Sequence, residues 1–499
     1  MGRVLRAVIF TVALSVVGLT EAQVALSDME ALSWTERAPG VWSANIGPQD
    51  APRLLDFVAA PPAADGLKKL GVADFPLVKE SIRGQVFSGR ASARLPLAPE
   101  EKLYGLGLQF KGMDHRGEVV HLRVDHYGGT TGMTHAPVPF YVSSAGYGVL
   151  FNTSRYISVY AGIGNRKDSP NLPTIRDRNT DAAWEARPTS DAVEASVQGP
   201  GLEVFVFAGP TPLDVVRRYN LYCGGGVLPP RWGLGFWHRV PTNATSAEIT
   251  SEIDEFFTRD YPVEVVGLEP GWQSKSYPGT FDWNEEHFAD PAGFVADMKA
   301  RGVKVNLWEN PYVSPDSSMY DALLPYTGSH MVWLGTVPDY TMKGAQDILS
   351  AHHEKNQLDI GISGYKIDEV DGVDAWLWPD HAVFPSGLGG EQLRQVYGLA
   401  IQKMLADLYR KRNQRTYSLV RGSNAGASGL PFVIYSDYYD HRGYVTALCN
   451  SGFSGLLWTP EIRSASSDEE WVRRMQTVCF SPLAMLNAWS SGTKPWSRP

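Results

Sequence analysis

From residue 231 onward, short apolar runs alternate with amphipathic segments at helical spacing. Continuous apolar strands separated by helices are typical of parallel strands that helices cover. The apolar runs occupy residues 233–238, 263–269, 303–309, 365–369, 417–420, 433–436 and 456–459, with a further run at 482–487. The clearest helical segments are 246–258, 291–301, 392–412 and 469–479. This pattern predicts a (β/α)₈ TIM barrel over residues 231–499, and a doubly wound open sheet is the alternative.

The preceding part of the chain has a different pattern. Residues 23–210 consist of short alternating runs broken by Gly, Pro, Asn and Asp, which predicts an N-terminal antiparallel β-sandwich. Residues 211–230 begin as a helix at Thr211 and Pro212 and end in a run of glycines and prolines, which predicts a linker helix between two domains.

The N-terminus has the form of a signal peptide. Arg3 and Arg6 precede an apolar stretch over residues 7–19, and the tripeptide Thr20-Glu21-Ala22 then ends in a small residue. We therefore expect residues 1–22 to be removed and the protein to be secreted or periplasmic. No later segment approaches about 20 continuous apolar residues, so no membrane association is expected after cleavage.

Composition and motifs exclude several classes of function. The formal net charge of −9 argues against a nucleic-acid partner, because the chain has no basic stripe to meet phosphates. The histidines form no HxH or HExxH pair and the three cysteines fit no zinc pattern, so neither a metal nor another cofactor is expected. The 15 Trp and 22 Tyr are compatible with a carbohydrate site or simply with large cores. The sequence does not indicate an oligomeric state.

Acidic residues collect at the ends of the predicted barrel strands, where the chemistry of such barrels takes place. The strand ends carry Trp237-His238-Arg239, Glu269, Trp308-Glu309-Asn310, Asp368-Glu369, Arg421, Asp437 and Glu461. A ring of carboxylates around one mouth predicts acid/base chemistry or a divalent cation.

Cleavage of a glycosidic bond needs two carboxylates that flank the sugar. Asp368 ends a buried strand and suits the role of the first carboxylate. Lys366 and Arg421 are expected to keep it ionised. The alternative is that Asp368 caps a helix that follows the strand. For the second carboxylate we favour Asp437, because its aromatic neighbours are expected to raise its pKa as a general acid requires. Asp440 is the alternative acid, although it could simply be the N-cap of a following helix.

Several segments resemble glycoside hydrolase family 31. They are YGLG at 104–107, PFYVSSAGYG at 139–148, LPPRWGLGFW at 228–237, FDWN at 281–284, GVKVNLWENPY at 302–312, GYKID at 364–368 and LVRGS at 419–423. The resemblance implies a retaining exo-α-glycosidase acting on a terminal α-linked sugar of a glycoside or oligosaccharide. Asp368 then matches the nucleophile, Arg421 a sugar-binding arginine and Asp437, more loosely, the acid/base. The implied pocket further contains Glu269, Trp272, Trp237, Trp308, Glu309, Lys366 and Asp440.

Three positions depart from the family pattern. Glu269 stands where an aspartate is usual, Glu309 where an apolar residue is common, and Asn487 where a histidine is expected. These changes concern the sugar pocket, so we expect a sugar other than plain α-glucose and favour α-galactoside over α-glucoside or α-xyloside.

The length of the chain is a further departure. Family members usually continue past the segment matching Pro495-Trp496 into a last barrel helix and C-terminal β-domains, whereas this sequence stops at Pro499. We therefore expect the last barrel helix and those domains to be missing. A truncated, non-catalytic carbohydrate-binding protein is the alternative function.

Overall fold

The computed structural model describes residues 29–126, 132–372, 376–437, 440–489 and 492–497. The predicted signal peptide, residues 1–22, lies outside this part of the chain. The described residues form an antiparallel β-sandwich followed by a parallel barrel, so the predicted fold class is confirmed. No helix in these ranges is long and apolar enough to cross a membrane.

The sandwich consists of two antiparallel sheets, apart from one short parallel pairing at an edge. Its strands are β1 Glu30–Ala31, β2 Thr35–Ala38, β3 Val41–Ile46, β4 Arg83–Phe87, β5 Arg90–Pro96, β6 Leu103–Gly105, β7 Glu118–Val124, β8 Met133–Thr134, β9 Phe140–Ser143, β10 Tyr147–Asn152, β11 Ile157–Ile163, β12 Thr189–Gln198 and β13 Leu202–Ala208. One sheet has the order β1-β4-β5-β12-β11-β7-β8 and the other β2-β3-β13-β10-β9-β6. Side chains of β5 alternate between buried and partly exposed, as expected for a strand with one solvated face.

Two helices accompany the sandwich, α1 Ala64–Lys69 and α2 Pro212–Tyr222. α2 begins where Thr211 Oγ1 accepts a hydrogen bond from the Asp214 amide at 3.2 Å, with proline at the first helical position. This helix packs on β13, and β13 is buried at every position because it is covered on both faces.

The barrel has eight parallel strands in the order β20-β19-β18-β17-β16-β15-β14-β21. The strands are β14 Phe236–Arg239, β15 Val265–Leu268, β16 Lys304–Glu309, β17 Gly364–Ile367, β18 Ser418–Val420, β19 Phe432–Ser436, β20 Trp458–Pro460 and β21 Ala484–Asn487. The helices are α3 Ser246–Thr258, α4 Pro291–Ala300, α5 Tyr320–Leu323, α6 Lys343–His353, α7 Gly390–Lys411, α8 His441–Phe453 and α9 Asp468–Val478. Ile462, just after β20, bridges Leu486 of β21 and nearly closes the ring.

Two details of the barrel differ from the sequence pattern. β14 begins at Phe236 rather than at residue 233, because Arg231–Leu234 forms a 3₁₀ turn. Residues 421–431 connect β18 to β19 through a loop and one 3₁₀ turn, Ala427–Gly429, instead of an α-helix. The βα alternation is therefore irregular at this crossover.

Buried hydrogen bonds fasten the sandwich to the helices of the barrel. The Gly107 amide donates to Ser454 Oγ at the C-terminal end of α8 at 2.8 Å, and the Val124 amide donates to Gln395 Oε1 on α7 at 2.6 Å. The second contact holds the end of β7 beside the first turns of α7.

Candidate active site

The carboxyl ends of the barrel strands surround a cavity of about 500 Å³, a volume within the usual range of ligand pockets. Six of the predicted site residues line it: Glu269, Trp308, Lys366, Asp368, Arg421 and Asp437. Among the other lining residues are His126, Tyr277, Glu369, Trp376, Arg463 and Trp489.

Asp368 follows β17 directly and is almost completely buried. Its Oδ2 accepts from the Trp308 indole at 2.8 Å, and its Oδ1 accepts from Arg421 Nη1 at 2.8 Å and from the Glu369 amide at 2.9 Å. Burial alone would raise the pKa of Asp368, but Arg421, Lys366 and the Trp308 hydrogen bond together hold it well below its usual value. This carboxylate is therefore ionised and held in a fixed orientation.

Arg421 contacts three aspartates at the carboxyl ends of the barrel strands. Its Nη1 lies 2.8 Å from Asp368 Oδ1 and 3.0 Å from Asp437 Oδ2, so these two oxygens are within about 6 Å of each other. Its Nε lies 3.4 Å from Asp371 Oδ1. In retaining glycosidases the two carboxyl groups are about 5–5.5 Å apart, whereas inverting enzymes need a wider gap for a water molecule. The observed spacing fits the retaining arrangement.

Asp437 follows β19, and two arginines contact its carboxylate. In addition to Arg421, Arg463 Nη2 lies 2.9 Å from Asp437 Oδ1. Burial opposes ionisation, but Arg421 and then Arg463 leave the pKa of Asp437 below its usual value despite the neighbouring Asp368. The expectation that aromatic neighbours raise this pKa is therefore wrong for the resting site, because guanidinium groups rather than rings dominate its surroundings.

Glu461 lies behind Asp437, just after β20, and is completely buried. Its Oε1 accepts from Asn487 Nδ2 at 2.6 Å and lies 3.3 Å from Lys366 Nζ, while Arg463 Nε is 3.4 Å from its Oε2. Burial raises the pKa of Glu461 to about 8, although Lys366 opposes the shift. Glu461 is therefore protonated at neutral pH beside an ionised aspartate.

Glu269 and Lys366 form a further part of the cavity wall. Lys366 Nζ lies 3.3 Å and 3.5 Å from the two carboxylate oxygens of Glu269, and Arg239 Nε also binds this carboxylate. The Arg239 side chain can pass over Gly267 to reach Glu269 because Gly267 has no side chain. A Cβ at Gly267 would lie 2.4 Å from the Arg239 guanidinium. Glu269 is thus a buried, doubly paired anion facing the cavity.

The sandwich contributes residues that the sequence did not reveal. His126 lines the cavity and stacks on Trp376 with ring centroids 5.4 Å apart. Asp371 Oδ2 binds His126 Nδ1 at 3.0 Å and His135 Nδ1 at 2.6 Å, and His135 Nε2 is 2.9 Å from Ser436 Oγ. Both histidines precede the barrel by about a hundred residues, so strand ends alone could not indicate them. The one feature of the sequence that could have indicated them is the presence of two histidines close together between sandwich strands.

Glu369 also lines the cavity, although the sequence named it only among the strand ends and not as a site residue. It adopts a left-handed conformation with φ 59°, its Oε2 accepts from the Trp376 indole at 2.7 Å, and its carbonyl accepts from Tyr312 Oη at 2.5 Å. Burial and the adjacent Asp368 raise the pKa of Glu369 to about 8. Strained backbone of this kind clusters at functional sites.

Two predicted tryptophans lie outside the cavity lining. Trp237 packs in the apolar interior of the barrel with Val265 and Tyr417, and its indole donates to the Gly233 carbonyl at 3.1 Å. Trp272 is buried, and its indole donates to the Trp308 carbonyl at 2.6 Å. Trp272 can therefore support the neighbouring strand but does not face the cavity.

Two predicted acids also lie outside the lining. Glu309 is buried in the barrel wall, where Gln357 donates to Oε1 at 2.8 Å and His353 Nε2 is 3.0 Å from Oε2. Asp440 is exposed, and its Oδ1 accepts from the Gly443 amide at 2.6 Å. The structure thus places Asp440 as the N-cap of α8, the alternative noted for it above.

Two family descriptions match this chain. "Glycosyl hydrolases family 31 TIM-barrel domain" matches residues 226–499, more than half of the sequence, and "Glycosyl hydrolase 31 N-terminal galactose mutarotase-like domain" matches residues 73–159. The chain belongs to glycosyl hydrolase family 31.

Among family 31 relatives, the α-xylosidase of Emericella nidulans is 26% identical and covers 91% of this chain. The α-xylosidase of Saccharolobus solfataricus is 25% identical and α-glucosidase 2 of Bacillus thermoamyloliquefaciens 24%, each over 81% of the chain. The alignments span 59%, 54% and 53% of these three relatives, so the chain spans little more than half of their length.

Solved family 31 structures share the fold. A soil-metagenome α-xylosidase complexed with xylose superposes with a TM-score of 0.69 at 16% identity, covering 92% of this chain and 75% of that one. A Flavobacterium johnsoniae dextranase complexed with glucose also gives 0.69 at 17% identity, covering 84% of this chain and 53% of that one.

The three departures from the family 31 pattern occupy different places in the structure. Glu269 faces the cavity, Glu309 is buried behind it, and Asn487 donates to Glu461 without lining the cavity. Only Glu269 among the three can meet a ligand directly. The described residues contain no group of three or more His, Cys, Asp or Glu side chains arranged to hold a metal ion.

Proposed function

We propose that this family 31 protein is a retaining exo-α-glycosidase, with Asp368 as nucleophile and Asp437 as acid/base. The observation that carries the proposal is the single Arg421 nitrogen that binds both carboxylates, because it keeps them within about 6 Å of each other, which is compatible with double displacement. The low pKa of Asp368 supports the nucleophile role, since only the ionised form attacks carbon.

In the first step, Asp368 attacks the anomeric carbon and Asp437 protonates the departing glycosidic oxygen, which leaves a covalent glycosyl-enzyme. In the second step, Asp437 takes a proton from water as that water attacks the same carbon and releases Asp368. Arg421 contacts both acids throughout and keeps the nucleophile ionised before attack.

The sugar is part of the proposal. The curated relatives carry the names α-xylosidase and α-glucosidase, which favours a neutral α-linked sugar. Glu269, in the cavity wall, favours an α-galactoside, because its longer side chain could reach an axial hydroxyl. The proposed substrate is a glycoside or oligosaccharide, and export through residues 1–22 is proposed with it.

The deciding experiment is hydrolysis of 4-nitrophenyl α-glycosides of galactose, glucose and xylose by the wild type, Asp368→Ala and Asp347→Ala. Asp347 is an exposed aspartate on α6 and serves as the matched control. We expect hydrolysis of one glycoside, its loss in Asp368→Ala only, and the α-anomer as first product by NMR. Full activity of Asp368→Ala contradicts the assignment, and sugar binding without hydrolysis by folded wild type indicates a non-catalytic carbohydrate-binding protein.

A further inference from the structure

In the resting site the proposed general acid, Asp437, is ionised, whereas its neighbour Glu461 carries a proton. A general acid must carry a proton before it meets the leaving group. The two arginines on Asp437 lower its pKa, whereas the pKa of Glu461 rises to about 8 through burial. At neutral pH the carboxyl in the cavity is therefore ionised, and the carboxyl behind it is protonated.

The geometry places these two acids side by side on one guanidinium. Arg463 Nη2 lies 2.9 Å from Asp437 Oδ1, and Arg463 Nε lies 3.4 Å from Glu461 Oε2. The other oxygen, Glu461 Oε1, is occupied by Asn487 at 2.6 Å and Lys366 at 3.3 Å. Glu461 Oε2 is buried and lies 3.4 Å from Arg463 Nε. The Glu461 carboxyl also shares a side-chain hydrogen bond with the Asp437 carboxyl, and such a bond between two acids requires a proton on one of them.

We propose that Glu461 stores the proton that Asp437 delivers to the leaving group, so that the acid/base is a carboxyl pair rather than a single aspartate. This inference rests on the proposed function. Glu461 does not line the cavity and acts through Asp437, so it is a positioning residue and Asp437 remains the group that touches substrate.

The proton is conserved over the cycle. As the glycosidic bond begins to break, Glu461 Oε2–H passes its proton to Asp437, and Asp437 passes it to the leaving oxygen. The Glu461 carboxylate that remains lies against Lys366 and Arg463, which stabilise its charge. In the second step the proton that water loses to Asp437 returns to Glu461 Oε2.

The charged and titratable groups around Glu461 come from several strand ends and from α8, and opposite charges nearly balance there. They are Glu269 after β15, Lys366 on β17, Tyr435 and Asp437 at the end of β19, Tyr444 on α8, and Arg463 after β20. Moving one proton between two adjacent carboxyls leaves the net charge of this group unchanged. A transfer of this kind is cheaper than drawing a proton from bulk water into the same buried site.

The test compares leaving groups that need protonation with leaving groups that do not. Glu461→Gln preserves the size and neutrality of the protonated acid but has no proton to give. On a phenyl α-glycoside of the preferred sugar, we expect kcat/KM of Glu461→Gln to fall about 100-fold, the lower range for general acid catalysis. On the 2,4-dinitrophenyl glycoside, which departs without protonation, we expect a loss below about threefold.

Glu194→Gln is the matched control. Glu194 is also a glutamate paired with an arginine and has a pKa raised by burial, but it lies on β12 of the sandwich. It should match the wild type on both substrates. An equal loss on both substrates in Glu461→Gln indicates a merely structural role and overturns the proposal, as does unchanged activity on the phenyl glycoside.

A second readout does not depend on turnover. At neutral pH the infrared spectrum of the wild type should show the C=O stretch of a buried protonated carboxylic acid, one component of which disappears in Glu461→Gln. A wild type that cleaves no α-glycoside contradicts the proposed function, and an unchanged band in Glu461→Gln contradicts proton storage at Glu461 separately.

Discussion

Asp368 and Glu369 are consecutive carboxyl groups whose pKa values move in opposite directions. Asp368 touches the Arg421 guanidinium and the Trp308 indole, so its ionised form is favoured. Glu369 accepts one hydrogen bond from Trp376, is buried, and adjoins the Asp368 charge, so its protonated form is favoured. Neighbouring acids whose surroundings separate their pKa values are a feature of sites that carry out acid/base chemistry.

The raised pKa of Glu369 predicts a pH-dependent stability. Between the ordinary glutamate pKa of 4.5 and about 8, the folded state keeps a proton that the unfolded chain loses, so folding becomes weaker as pH rises through this window. Glu369→Gln removes this linkage. We expect it to raise the free energy of unfolding by roughly 4 kcal/mol at pH 8 and to change it little at pH 4.5.

Urea unfolding of both proteins at pH 4.5 and pH 8 measures the effect. Glu285→Gln, at an exposed position in the loop before α4, is the control and should track the wild type at both pH values. An equal shift at the two pH values would mean that packing, not ionisation, accounts for the change.

The residues of the site that lie on or directly after barrel strands could be predicted from the sequence. Asp368, Arg421 and Asp437 occupy such positions, and they meet at one cavity. His126 and the proton on Glu461 could not be predicted in this way. His126 comes from the sandwich, and a protonation state depends on which cations approach a carboxyl in three dimensions.

At the scale of elements, the sequence predicted strands better than helices. Barrel strands are continuous apolar runs, which burial on both faces requires. The sequence pattern did not predict α6, because polar residues and Gly344 interrupt its apolar face. Nor did it predict that a loop would replace the helix between β18 and β19, because the absence of a helix has no sequence pattern of its own. The sequence therefore predicts an element well where a single requirement, such as burial on both faces, determines which residues it contains.

The start of α8 gives a prediction about an element. Asp440 accepts a hydrogen bond from the Gly443 amide in the first turn of this helix, and Ser454, the C-cap of α8, binds the sandwich. Asp440→Ala should lower the free energy of unfolding by about 1 kcal/mol, as loss of an N-cap does, while Asp440→Asn retains most of the stability.

The same two variants bear on function. Since Asp440 lies outside the cavity lining, KM for the preferred glycoside should stay within about twofold of the wild type in both. A large rise in KM with unchanged stability would restore Asp440 as a substrate-binding residue.

At the scale of the whole molecule, one hydrophobic cluster runs through both the sandwich and the barrel. It includes Phe140 and Phe207 of the sandwich, Tyr219 of α2, and Leu430 and Tyr444 of the barrel. Tyr219 stacks on Phe140 at 4.1 Å and accepts a hydrogen bond from the Gly426 amide at 3.1 Å. The sandwich and the barrel cannot separate without exposing this apolar surface to water. His126, which follows β7 of the sandwich, also binds Asp371 beside the active-site cavity.

A continuous core predicts that the sandwich and the barrel unfold together, although separate domains often unfold in separate steps. Leu122→Ala creates a cavity in the sandwich core and should destabilise the protein by about 2–5 kcal/mol. Hydrogen exchange should report the same loss for amides of β12 in the sandwich and β18 in the barrel. Val86→Ala, at a partly exposed position of the sandwich, should change neither. Protection lost in β12 alone, or two resolved thermal transitions, would show that the sandwich and the barrel unfold independently.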